Sequence, residues 1–138
     1  MKLREGWYEK MVCHINRKVW WHVPPVDPDA YKKRGKFLAA SFAEAEFWGR
    51  PPDEPQRVSV LAPLIGDETT IERRLFGKRA STEEISVKER FRLDAKMKRA
   101  AIALGYDSIL LMAPQAFTKL KSTGAIPRSL ELNILQVG

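Results

Sequence analysis

Gly35-Lys36-Phe37-Leu38-Ala39-Ala40-Ser41-Phe42-Ala43-Glu44-Ala45-Glu46-Phe47-Trp48-Gly49 reads as a strand that runs straight into a capped helix. Gly35 to Ala40 is a short apolar run of strand character. Ser41 and Glu44 have capping-box spacing, so the serine oxygen accepts from the Glu44 amide while the glutamate reaches back. The helix then covers Phe42 to Trp48 and is stopped by Gly49 and Pro51.

Upstream, Met11 to Ile15 and Val19 to Val23 are rich in β-branched and aromatic residues and are separated by Asn16-Arg17-Lys18. The pattern predicts a β-hairpin. It places Val19, Trp21 and Val23 on one face, Trp20 and His22 on the other, and His14 on the neighbouring strand. Trp21 and Trp48 are expected in the core; Trp20 has either reading.

Downstream, Arg57 to Ala62 reads as a core strand, and a short helix from Thr70 to Phe76 ends at Gly77. Ser81 and Glu84 form a second capping box. The helix they open would bury Val87, Phe91, Ala95 and Ile102 and end at Gly105. Asp107 to Met112 reads as a strand. Pro114 starts a helix with Phe117 and Leu120 on one face and Gly124 beyond its end. Leu130 to Val137 alternates and closes the chain as a strand. Strands and helices mix without a regular βαβ repeat, which favours α+β over a doubly wound sheet. Proline-rich breaks at Pro24-Pro25 to Pro28, at Pro51-Pro52 to Pro55 and at Pro114 are too short for interdomain linkers, so residues 1–138 are expected to form one domain.

Hydrophobic residues make up 44% of the chain and charged residues 30%, an ordinary globular balance. Cys13 is the only cysteine, so no internal disulfide forms; its apolar setting, Met11-Val12-Cys13, predicts a buried, inert thiol. No stretch approaches the roughly 20 apolar residues that cross a bilayer, and no secretory signal is read at the start. The expected location is cytoplasmic, with no membrane partner.

The formal charge of +7 points to a nucleic acid or another acidic surface as partner. The basic helix supplies Lys88, Arg92, Lys96 and Arg99 as candidate nucleic-acid contacts, beside Arg90 and Lys98; a merely solvated face is the alternative. There is no phosphate-binding P-loop, no Gly-x-Gly-x-x-Gly turn and no nucleophile elbow. With two histidines and one cysteine, no cluster has metal-ligand spacing.

Val19-Trp20-Trp21-His22-Val23, then Gly35 to Gly49, resembles the first half of small ADP-ribosyltransferases, and RES-type NAD-degrading toxins share much of this pattern. Gly105-Tyr106-Asp107-Ser108-Ile109 is similar to the turn before that superfamily's last strands. Leu130-Glu131-Leu132-Asn133-Ile134-Leu135 is similar to its terminal strand, which begins with the catalytic glutamate. The two blocks together span about two thirds of the chain. The resemblance implies mixed, mostly antiparallel sheets forming a cleft with peripheral helices, and NAD as the substrate. It implies Glu131 as the catalytic acid, His22 as a contact to the NAD ribose or nicotinamide half, and Ser41 and Phe37 at the second-strand serine and aromatic positions. Phe37 or Tyr31 would stack on nicotinamide. Ser129 stands two residues before Glu131, where the family often carries a second acidic or amide residue.

Cleaving the nicotinamide–ribose bond builds oxocarbenium character, which one well-placed carboxylate stabilises. The expected function is therefore an NAD-dependent transferase or NAD-degrading enzyme acting on a nucleic acid or a nucleic-acid-associated protein. The alternatives are a non-catalytic basic nucleic-acid-binding module and a small phage-type inhibitor protein. On these, Glu131 is an outward strand residue, His22 a core histidine and Ser41 only a helix cap.

Overall fold

The computed structural model describes residues 6–22, 30–48, 54–78 and 86–136; the side chains of Tyr31, Phe47 and Trp48 lie outside that description. The Ser81–Glu84 capping box, Val23 and Val137 also lie outside it. The described chain runs α1 (Trp7–Arg17), β1 (Trp21–His22), α2 (Ala30–Arg34), β2 (Lys36–Ala39), α3 (Phe42–Trp48), β3 (Pro63–Gly66), α4 (Glu68–Phe76), α5 (Val87–Ala103), β4 (Ser108–Leu111), α6 (Pro114–Thr123) and β5 (Glu131–Ile134).

The strands form one mixed sheet in the order β1-β2-β5-β4-β3. β3 and β4 are parallel, and the other three neighbouring pairs are antiparallel. The fold is thus α+β, but with a single sheet among the described residues in place of sheets that enclose a cleft. Side chains alternate across it. Leu38, Leu132, Leu110 and Ile65 lie in one cross-strand row and pack with Met11 and Ile15 of α1 and Phe117 and Leu120 of α6. The opposite face carries Leu64, Ile109 and Leu135 against Ile71 of α4 and Ala101 of α5. Helices therefore cover both faces of the sheet.

The expected hairpin is not formed: its first arm is helix α1. Met11 and Ile15 are four residues apart and fully buried, with Trp7 and Tyr8 packed beside them one turn earlier. β-branched residues make a stretch look like a strand, but here the period of the buried positions is helical and burial decides. His14 consequently sits on a helix and not on a strand beside His22. Cys13 falls on the outer side of α1 and is exposed, against the expectation of a buried thiol. Trp20 is a core tryptophan, with no exposed surface, and its Nε1 donates to the Ile15 carbonyl at 3.0 Å. Trp21 is half-buried and meets Phe42 edge-to-face.

The strand expected over Arg57–Ala62 lies instead at Pro63–Gly66. Residues 57–60 form no strand, and the Val60 backbone is held by a side chain instead of a neighbouring strand. Asn16 of α1 accepts from the Val60 amide at 2.7 Å and donates to the Val60 carbonyl at 2.9 Å. Gln56 makes an isolated antiparallel bridge to Trp20.

The strand-to-helix stretch around Ser41 and α6 form as the spacing predicts, and α4 ends at Gly77 as expected but begins at Glu68, two residues before the expected Thr70, where Asp67 caps it by accepting from the Thr70 amide. β4 and β5 form inside their expected ranges but are shorter, at Ser108–Leu111 and Glu131–Ile134. α5 is capped by Ser86, whose Oγ accepts from the Glu89 amide at 3.2 Å. Its buried residues are Leu93 and Ala101, whereas Val87 and Phe91, expected inside, are 69% and 46% exposed. Both sets have helical spacing; the sheet selects the one that carries Leu93, Met97 and Ala101. Among the described residues no helix is long and apolar enough to cross a membrane.

Candidate active site

Glu131 opens β5, the central strand, and pairs with Ala39 of β2 on one side and Leu111 of β4 on the other. Two residues on, Asn133 pairs with Phe37 and Ile109. Pairing and alternation put Glu131, Asn133 and Phe37 on the face covered by α4 and α5. There they line a small hollow of about 30 Å³ with Arg90, Asp94 and Met97 of α5, Ile71 of α4, and Ile109 and Leu111 of β4. Ligand pockets run from about 300 to about 1,000 Å³, so the hollow as it stands has room for about two waters, and a ring or sugar enters only if α5 or its side chains move outward.

The polar groups share Arg90. Arg90 Nε lies 3.4 Å from Asp94 Oδ1, and Arg90 Nη1 lies 3.5 Å from Glu68 Oε1 in the first turn of α4. Burial, followed by the nearby Asp94 and Glu68 carboxyls, pushes the Glu131 carboxyl above its ordinary range, while Arg90 pulls it down. Burial likewise raises Asp94, opposed by Arg90 and Arg34. Three carboxyl groups, those of Glu131, Asp94 and Glu68, thus stand near two guanidiniums, those of Arg90 and Arg34.

Gly35 fixes the rim. Its φ of +92° is costly for any residue with a side chain, and a Cβ there would stand 2.2 Å from Asn133 Oδ1 and 2.7 Å from the Ile134 carbonyl. Asn133 Nδ2 donates to the Arg34 carbonyl at 2.9 Å, so the end of α2 is tied to the sheet beside the hollow.

Of the residues singled out from sequence, the fold brings Glu131 and Phe37 together. His22 is not among them. It pairs with Leu38, in the row that contains Leu132, and so points to the α1/α6 face on the other side of the sheet. It is buried there, with Nδ1 3.1 Å from the Phe37 carbonyl, and burial lowers its pKa. Ser41 caps α3, its Oγ accepting from the Glu44 amide at 3.2 Å. The Tyr31 side chain is outside the described residues. Lys88, Arg92, Lys96 and Arg99 are all exposed, on the side of α5 turned away from the sheet. Sequence reasoning missed Asp94 and Asn133 and read Arg90 only as part of the basic face. The available signals were the four-residue spacing of Arg90 and Asp94 and the two-residue spacing of Glu131 and Asn133, each of which implies a shared face. Among the described residues, no group of three or more His, Cys, Asp or Glu side chains is placed to hold a metal ion.

Compared with models of known protein families, with curated proteins and with solved structures, the chain matches none.

Proposed function

We propose that this chain is an NAD-consuming enzyme of the ADP-ribosyltransferase kind, with Glu131 as its catalytic carboxylate. The observation that carries the reading is the placement of Glu131. It lies at the start of the central strand, on the same face as Phe37 and in a hollow with more carboxyls than cations. The nicotinamide ring of NAD is a planar cation bearing an amide. An aromatic ring at Phe37, apolar walls at Ile109, Leu111 and Met97, an amide at Asn133 and the Glu131 and Asp94 carboxyls match such a group in chemistry, and the reading requires the hollow to widen when the ring enters.

In the reaction the C1′–N bond of the nicotinamide riboside breaks, and its electron pair neutralises the pyridinium nitrogen. Positive charge grows on the ribose C1′ and O4′, where ionised Glu131 stabilises it. An acceptor oxygen or nitrogen then bonds to C1′ and gives up its proton to solvent. Water as acceptor yields free ADP-ribose; a nucleic acid or a protein bound to one yields a modified product. His22 has no part in this scheme, and Arg90 takes the role of holding the carboxyl cluster together. The basic surface of α5 favours an acidic acceptor.

The test is nicotinamide release from NAD by the wild type, by Glu131→Gln and by Ser41→Ala. Release by the wild type is expected, with a loss of about 100-fold or more in Glu131→Gln. Ser41→Ala, which touches only the α3 cap, should retain the rate of the folded protein. Equal rates in wild type and Glu131→Gln, or no release together with no rise in melting temperature on adding NAD, overturn the reading.

A further inference from the structure

We propose that the outward face of α5, flanked by the end of α2, docks the phosphate backbone of a double-stranded nucleic acid. The inference rests on the surface and not on the chemistry of the hollow.

Lys88, Arg92 and Lys96 follow at four-residue intervals and Arg99 three residues later, so the four heads stand in one row on the helix. The row is about 16 Å long at about 1.5 Å of rise per residue. All four residues are exposed. Because Met97 and Ala101 pack into the core on the sheet side of α5 and Leu93 is buried on that same side, the row is fixed outward. Among the described residues none of the four is ion-paired. Asp94 is turned into the hollow.

The cationic surface continues onto α2, which contributes Lys32, Lys33 and Arg34 in its last turn. Two contacts between segments far apart in the chain hold α2 against α5. Lys98 Nζ donates to the Lys32 carbonyl, and the Arg34 guanidinium lies 3.7 Å from the centre of the Phe91 ring. The α5 surface therefore has a basic flank that no single stretch of sequence contains.

The chemistry of the row selects its partner. Beside the basic heads stand Ala95, Ala103 and the exposed Glu89, and α5 contains no Asn or Gln to pair with adenine, which leaves Arg and Lys as its only groups able to reach base edges. Phe91 is the one aromatic of α5 and has one ring face taken by Arg34, so α5 presents no succession of rings on which consecutive unpaired bases could stack. An interfacial membrane helix needs its apolar side free, and that of α5 is committed to the core. A single row of basic heads is suited first to regularly spaced phosphates, which attract it whatever the sequence. The hollow with Glu131 lies under the other side of the same helix, about 10 Å through it. A bound duplex would be held beside the hollow without entering it.

The test is fluorescence anisotropy of a labelled duplex, about two helical turns long and of arbitrary sequence, over a salt series. Four phosphate contacts predict a log Kd against log salt slope of about 3.6, or roughly a 150-fold loss of affinity from about 50 to about 200 mM salt. Lys96→Gln and Arg99→Gln should each reduce the slope by about one. The double reversal Lys96→Glu/Arg99→Glu should abolish measurable binding. Arg57→Glu/Lys119→Glu, the same charge change at exposed positions elsewhere, should not. Glu131→Gln should bind the duplex as the wild type does, so loss of nicotinamide release and loss of binding are separately readable. The proposal is overturned if both double variants weaken binding equally or if a single strand binds more tightly than the duplex. It also fails if vesicles of phosphatidylcholine with phosphatidylserine bind and the duplex does not.

Discussion

Glu131 illustrates how far a single residue can be understood from its neighbours. Its carboxyl and that of Asp94 are both raised, chiefly by burial. A group whose pKa is higher in the folded chain than in the unfolded one makes the folded chain the better proton binder. Stability is then greatest below the ordinary carboxylate range. It falls as pH rises from that range through the raised values and stays lower above them. Replacing Glu131 with Gln removes one such group and keeps its shape. In urea titrations between about pH 4 and about pH 7, Glu131→Gln should lose less stability with rising pH than the wild type. At neutral pH it should be at least as stable. A variant with an unchanged pH slope would mean that the carboxyl is not held as the hollow suggests.

Among the elements, α1 and the stretch after Gln56 depend on each other. The Asn16 side chain satisfies both backbone groups of Val60, as a neighbouring strand would. Asn16→Ala leaves that amide and carbonyl without these partners, at a cost of about 1–3 kcal/mol. The Val60 amide should then exchange with solvent faster than the β4 amides, which rely on the sheet ladder. Equal exchange in the variant and the wild type would show that Asn16 does not hold the segment. Asp107 plays a related part at the start of β4. Its two carboxylate oxygens accept from the Leu61 amide at 2.6 Å and from Ser108 Oγ at 2.8 Å, and its carbonyl accepts from the Leu135 amide at 3.1 Å. The turn Gly105 to Ile109, recognisable in the sequence, thus ties three segments together.

At the scale of the whole molecule, β5 is the axis. Leu132 is fully buried between Leu38 and Leu110 on the α1/α6 side, while Glu131 and Asn133 face the hollow on the other. Leu132→Ala should cost about 2–5 kcal/mol, read as a lower urea midpoint at unchanged slope. Leu61→Ala, at a residue 85% exposed, should change stability by about 0.5 kcal/mol or less. Comparable effects from the two would contradict the sheet register.

Local chemistry alone determined the Ser41 cap of α3, the limits of α4 and α6, the strand character of β2, β4 and β5, and the basic row on α5. Each depends on residues within a turn or two of one another. The side on which anything lies was decided only in three dimensions. Met11 to Ile15 has strand composition and is a helix, because its buried positions repeat every four residues. Phe91 is as apolar as Leu93, but the sheet covers one and leaves the other to Arg34. His22 and Glu131, both chosen for chemistry from local pattern, sit on opposite faces of one sheet. Strand pairing assigns alternate residues to alternate faces, and the register that sets the alternation forms between segments about a hundred residues apart. No window of the sequence contains both partners of that register. For the same reason the grouping of Arg90, Asp94 and Glu131 could be found only in the folded chain.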